Sequence, residues 1–238
     1  MVAQHTAKAF DADLEELQRK VSEMGGIAEK GIADSVAALA RRDSELARKV
    51  IASDAAVDVL QSEIEEKAVL TIARRQPMAV DLREIVASLR VANDLERIGD
   101  LAKNIAKRTI ALQGEFPSQK VIRGVEHMAT LVQAQLKQAL DSYAARDVGN
   151  ALEVWKNDEE IDALCTSLFR ELLTYMMEDP RNISFCIHLL FCAKNIERMG
   201  DHATNIAETI YYMIEGRPIG GTRPKGDTTA FAPAPAQG

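Results

Sequence analysis

The amino-acid sequence predicts an all-α chain built as two tandem three-helix bundles, and three observations carry that prediction. A segment of the first half, Ala92-Asn93-Asp94-Leu95-Glu96-Arg97-Ile98-Gly99-Asp100-Leu101-Ala102-Lys103-Asn104-Ile105-Ala106, returns later as Ala193-Lys194-Asn195-Ile196-Glu197-Arg198-Met199-Gly200-Asp201-His202-Ala203-Thr204-Asn205-Ile206-Ala207. An internal repeat of this kind fixes an architecture before any local reading. Upstream, Arg42-Asp43, Ala47, Val50, Asp54, Asp58 and Leu60 recur as Arg146-Asp147, Ala151, Val154, Asp158, Asp162 and Leu164, so one unit is written twice. Aromatic residues make up only 5 % of the chain while Ala, Leu, Glu, Lys and Arg abound, a composition that suits long helices and not strands.

The elements follow in order. Phe10, Leu14, Leu17, Val21, Met24, Ala28, Gly31 and Ser35 recur at heptad-like spacing and open the first half as a long helix; Val121, Val125, Met128, Val132, Gln135 and Ala139 do the same for the second. The second helix of each half starts at Asp43 or Asp147, good N-cap residues after arginine-containing turns. It turns Leu46, Val50, Val57, Leu60 and Ile64 inward, or Val154, Ile161, Leu164 and Leu168. The third starts near Pro77 or Asp179-Pro180, with proline in its favoured first-turn position. Its seam reads Val91, Leu95, Ile98, Ala102, Ile105, Thr109, Leu112 in one half and Cys192, Ile196, Met199, Ala203, Ile206, Ile210, Met213 in the other. Six helices of about 30 residues, roughly 45 Å each, are expected. The repeats span residues 5–113 and 116–215, with the junction at Gly114-Glu115-Phe116-Pro117. Residues 216–238 are rich in Gly, Pro, Ala and Thr, carry no core-forming pattern and are expected to be disordered.

Composition excludes several classes. A net charge of −7 argues against nucleic acid as a partner, because such proteins carry a basic patch or stripe. No apolar run reaches the roughly 18 residues of a membrane span, so direct membrane insertion is not expected. Met1-Val2-Ala3-Gln4-His5-Thr6 lacks a basic segment followed by an apolar one, and the cysteines, Cys165, Cys186 and Cys192, are odd in number. A reduced, cytoplasmic setting is the natural expectation.

The repeat carries a chemical pattern as well as an apolar one. Residues four apart on a helix share a face, so Glu96 and Asp100 form a vertical pair extended by Asn104, and Glu197 and Asp201 form its twin above Asn205. Asp54/Asp58 and Asp158/Asp162 are the corresponding pairs on the preceding helices. In an antiparallel hairpin the midpoint between Asp54/Asp58 and Glu96/Asp100 falls on Pro77, and that between Asp158/Asp162 and Glu197/Asp201 falls on Asp179-Pro180. Both coincide with the expected turns, so four carboxylates should converge in each half. Clustered like charges cost free energy unless a cation or a proton compensates. Gly99 and Gly200, each about 1 kcal/mol worse than alanine inside a helix, add room for close approach of backbone or ligand. Oxygen-only donors suit iron, manganese, magnesium or calcium, with zinc possible. Each pair read alone is an ordinary solvated face.

Other residues carry less signal. Arg97 and Arg198 lie further round the helix, as bridges to carboxylates or as surface ion pairs. His188 and Cys192, four apart, lack the second ligand pair of a zinc site and are expected to pack. His202 either adds a nitrogen ligand beside Asp201 or is exposed. Cys165, Cys186 and Trp155 are expected to pack. No nucleophile stands with a base, and no glycine-rich phosphate loop is present, so the chain is not read as an enzyme. The rival reading, a carboxylate-bridged metal enzyme or metal store, needs Glu-x-x-His on two helices. Gly99 and Gly200 occupy the histidine positions.

With tandem Leu-Glu-Arg-Ile-Gly-Asp and Ile-Glu-Arg-Met-Gly-Asp-His motifs on the third helix of two three-helix repeats, the chain closely resembles the PhoU family over about residues 5 to 215. The resemblance implies a cytoplasmic, all-helical, non-enzymatic regulator that represses the phosphate-starvation response. Its partners would be the ATPase subunit of a phosphate ABC transporter and a phosphate-sensing histidine kinase, and a homodimer is the expected assembly. Some family members bind iron or other metals through Glu/Asp-x-x-x-Asp motifs. Carried over, that role falls on Glu96/Asp100 and Glu197/Asp201, with Asp54/Asp58 and Asp158/Asp162 facing them. The Ala/Pro tail lies outside the family pattern.

Overall fold

The computed structural model describes residues 2–112 and 119–221. The expected junction at Gly114 to Pro117 and the tail beyond residue 221 lie outside the described residues, as do the side chains of residues 2–8, 119 and 158. Among the described residues there is no strand, and the helices run α1 (Val2–Arg41), α2 (Ser44–Arg75), α3 (Val80–Ala111), α4 (Gln119–Ala145), α5 (Val148–Lys156), α6 (Asp158–Glu178) and α7 (Ile183–Glu215).

The seams expected from the spacing are the core. Leu17, Val21, Met24 and Ala28 of α1, Val57 and Ile64 of α2, and Val91, Leu95, Ile98 and Ile105 of α3 are sealed from solvent, as are their counterparts in α4 and α7. Phe10, Leu14, Leu46, Leu112 and Leu164, at the ends of those seams, are partly buried against the same core. The second helices are capped as expected. Asp43 accepts from Glu45 N at 3.0 Å and Leu46 N at 2.9 Å, and Asp147 accepts from Asn150 N at 3.2 Å.

Two local expectations are corrected. The fifth of six expected helices is two, because the chain breaks at Asn157, which caps α5 through its N–H to Glu153 O at 3.2 Å. The break places Glu159 and Glu160 in the first turn of α6, where negative charge meets the positive end of the helix dipole. Pro77 does not open α3. It follows Gln76, which closes α2 in the left-handed conformation at φ 50°, and α3 begins at Val80. Pro180 instead starts a single 3₁₀ turn, Pro180–Asn182, that leads into α7.

The two repeats share one continuous core, joined along antiparallel α3 and α7 and along α1 and α4. Arg83 donates to Met213 O at 3.1 Å near one end of the α3/α7 pair, and Arg108 donates to His188 Nδ1 at 3.5 Å near the other. Gln18 of α1 donates to Ala144 O of α4 at 3.0 Å. Tyr143 of α4 meets Ser88 of α3 at 2.8 Å. Ser88 already donates to Glu84 O, so the tyrosine hydroxyl is the donor. Burial pushes that hydroxyl up to about 12, so it stays protonated throughout the physiological range.

Candidate functional site

In the first repeat the antiparallel packing of α2 on α3 brings the expected carboxylate pairs to one level. Asp54 of α2 and Asp100 of α3 are joined through Lys103, whose Nζ lies 2.5 Å from Asp54 Oδ2 and 2.7 Å from Asp100 Oδ1. Hydrogen bonds to Asp100 and Asp54 hold the Lys103 ammonium well above its usual range, and the bond from Lys103 holds Asp100 below the usual carboxylate range. One turn away Glu96 behaves oppositely. Burial raises its carboxyl, the Asp100 and Asp58 charges add to the rise, and Arg97 opposes it. Glu96 Oε2 is sealed from solvent and accepts no hydrogen bond, although Arg97 Nε stands 3.4 Å away. Asp58 itself is exposed.

The second repeat places Asp162 of α6 beside Glu197 and Asp201 of α7. Asp162 is 4 % exposed and Glu197 6 %, deeper than any of the first repeat's carboxylates. Burial raises the Glu197 carboxyl, the hydrogen bond from Lys194 lowers it, and the Asp201 and Asp162 charges raise it further. Lys194 donates to Glu197 Oε1 at 2.7 Å, while Glu197 Oε2 is sealed and accepts no hydrogen bond, as at Glu96. The side chain of Asp158 lies outside the described residues. Among the described residues, no three carboxylate, imidazole or thiol groups stand in a ready ligand arrangement. The donor chemistry nevertheless fits a hard cation. Each repeat buries one glutamate oxygen without a hydrogen bond, at the edge of further carboxylates.

The paired glycines are not equivalent. A methyl group on Gly99 would meet the Val57 methyls at 3.6 Å and Asp54 Oδ1 at 3.8 Å, ordinary contacts. On Gly200 it would stand 3.2 Å from Ile161 Cδ1 and 3.3 Å from Gln135 Oε1, tight enough that the neighbours must shift. Gly99→Ala is therefore expected to stabilise the chain by up to about 1 kcal/mol through helix propensity. Gly200→Ala should gain less or lose. Urea unfolding of both variants measures the difference, and equal gains would contradict the packing contrast.

His202 is partly buried, not exposed. Its Nδ1 bonds Asp94 Oδ1 at 2.8 Å across the α3/α7 seam, and Asn205 Nδ2 reaches the same oxygen at 3.4 Å. Cys192 is packed as expected, its thiol pushed up to about 12 by burial, and Cys186 is buried too. Trp155 donates to Glu208 at 2.9 Å and borders an open groove of about 490 Å³ with Arg90 and Tyr212. Arg97 pairs with Glu96 and Asp100 of its own helix and is 55 % exposed, a surface ion pair. The sequence reading missed two features, the Lys103 bridge and the Asp94–His202 pair. Both leave a trace, because positions 94/195, 101/202 and 103/204 break an otherwise close repeat.

A model of the PhoU domain matches residues 21–109 and again residues 125–210. The chain belongs to the PhoU family. A phosphate-specific transport system accessory protein PhoU homolog of Rhizobium meliloti is 60 % identical over 226 residues, covering 95 % of each chain. The Caulobacter vibrioides homolog is 52 % identical over 95 % of this chain and 98 % of its own. Among solved structures, PhoU from Pseudomonas aeruginosa superposes with a TM-score of 0.83 at 41 % identity, over 87 % of this chain and all of that one. The phosphate transport system regulatory protein PhoU from Streptococcus pneumoniae gives 0.82 at 27 % identity, over 89 % of this chain. PhoU proteins are accessory and regulatory proteins, so the chain is not an enzyme. No helix among the described residues is long and apolar enough to cross a membrane.

Proposed function

We propose that this PhoU-family chain is a cytoplasmic negative regulator of the phosphate-starvation response that also modulates phosphate uptake. It connects the ATPase subunit of a phosphate ABC transporter to a phosphate-sensing histidine kinase and works as a homodimer. The observation that carries the reading is the match, near full length on both sides, to phosphate-specific transport system accessory proteins at up to 60 % identity. Exposed apolar side chains on the α6/α7 hairpin, among them Met177, Ile183, Ile187 and Phe191, supply docking area of the kind a partner helix uses. Deleting the chain is expected to switch on phosphate-scavenging genes in phosphate-rich medium. Unchanged expression of a phosphatase reporter in the deletion strain would sink the proposal. Removing residues 217–238 should leave repression intact, since that tail carries no core-forming pattern.

In this reading the acidic clusters hold metal. Asp54, Asp58, Glu96 and Asp100 would serve in the first repeat, and Asp158, Asp162, Glu197 and Asp201 in the second. A hard cation such as iron, manganese, magnesium, calcium or zinc would supply positive charge that ties neighbouring helices together. What supports this reading is that Asp54 and Asp100 meet across α2 and α3 and that one glutamate oxygen of each cluster is shielded from water.

A further inference from the structure

Resting on the reading that the chain works as a homodimer, we propose that a second copy docks on the outer face of the α6/α7 hairpin. The two-fold axis crosses the hairpin at the level of Thr174 and Ile187, so that Arg170 of one protomer pairs with Glu178 of its partner.

Met177 is 85 % exposed, and Leu173, Ile183, Ile187 and Phe191 are each at least 40 % exposed. α6 and α7 run antiparallel through the turn Pro180–Asn182, which sets Met177 level with Ile183, Leu173 with Ile187, and Phe169 with Phe191. Successive rungs of this ladder are about 6 Å apart, the rise of four helical residues. Phe169 and Phe191 line one apolar recess of about 200 Å³ with Leu190, so the last rung is closed. A contiguous ladder of large apolar side chains facing water marks an interaction surface. In the first repeat the places of Met177 and Phe191 are held by Ala73 and Arg90, so the matching ladder is cut at both ends.

The charges beside the ladder identify what covers it. Arg170 and Glu178 are exposed, lie four residues before and four after Thr174 on α6, and carry no ion pair among the described residues. A two-fold axis lying in the interface and perpendicular to α6 at Thr174 lays the α6 of a second copy antiparallel on the first. That operation exchanges positions 170 and 178, so each arginine faces a glutamate and the contact occurs twice. It also brings Ile187 beside its own counterpart, sets Ile183 against the partner's Phe191, and drops Met177 between the partner's Phe169 and Leu173. A face with a cation at one end, an anion at the other and apolar side chains between them is its own complement, which an isologous contact requires. A face of one charge throughout would call for an oppositely charged partner instead.

Sedimentation velocity of the full-length chain tests this, and the wild type should sediment as a dimer. Arg170→Glu and Glu178→Arg, each alone, put like charges at both cross-axis contacts and should raise the dimer dissociation constant at least about tenfold. An equimolar mixture of the two variants should recover the wild-type affinity, because the hybrid dimer has opposite charges at both contacts. Both positions are exposed, so the fold should survive, and circular dichroism checks that each variant keeps the wild-type helicity. A wild-type dimer that both folded variants match, or a mixture as dissociated as each variant alone, overturns the inference while the homodimer reading stands. A wild type that stays monomeric at every concentration overturns the homodimer reading itself.

Discussion

Replacing His202 with leucine is expected to destabilise the chain by about 2 kcal/mol, read as a thermal midpoint roughly 4 to 8 °C lower. The substitution copies the residue that the first repeat carries at the same place, Leu101, so helix propensity and apolar volume argue for tolerance. The cost comes from the other side of the α3/α7 seam. Asp94 is 8 % exposed, and the His202 bond at 2.8 Å is its shortest contact, with Asn205 Nδ2 at 3.4 Å as the weaker one. Leucine removes that donor and leaves a buried carboxylate oxygen short of a partner, which costs more than the bond contributes. Asp94→Asn added to His202→Leu should restore most of the loss, because asparagine at 94 copies Asn195 and removes the stranded charge. The double-mutant cycle isolates the coupling from the individual effects. A His202→Leu variant as stable as the wild type would show that the pair contributes nothing to holding the repeats together.

The features legible in the sequence were those repeated in it. Apolar spacing fixed which faces of the long helices enter the core, since Val57, Leu95, Ile98 and Ile206 sit where the periodicity puts them. Asp43 and Asp147 cap the second helices because a short acidic side chain before an apolar run has one favourable use there. The level matching of Asp54 with Asp100 was legible because a hairpin of known turn position is a ruler. Features that one copy holds and the other lacks were harder to read. Lys103, three residues after Asp100, reads as a common helix-surface ion pair, and the sequence does not say that Asp54 completes it from another helix. His202 pairs across the repeat boundary, and helix periodicity within one element cannot rank contacts between α3 and α7. The break at Asn157 depends on a balance between apolar continuity and the acidic run that follows, a balance periodicity does not weigh.

Glu197→Gln combined with Asp201→Asn is expected to change stability with opposite sign in the absence and presence of metal. Burial together with the Asp201 and Asp162 charges holds the Glu197 carboxyl above its ordinary value of 4.5, Lys194 offsetting part of the rise. A carboxyl raised in the folded state favours folding fully below the unfolded value, and that contribution is lost as pH rises through the folded value. Above the folded value that contribution is gone, and the neutral double variant should be more stable than the metal-free wild type. It should also lose part of the wild type's decline as pH rises above about 4.5. Metal reverses the comparison. At a Mn²⁺ concentration a hundredfold above Kd, binding to the folded state adds about 2.7 kcal/mol to the wild type. The double variant, stripped of both second-repeat motif carboxylates, should gain no such increment from that repeat. Thermal melts of both proteins, each with chelator and with Mn²⁺, read the four values directly. If the double variant is more stable than the wild type by the same amount in both conditions, the second cluster holds no metal and its carboxylates are a strained polar face.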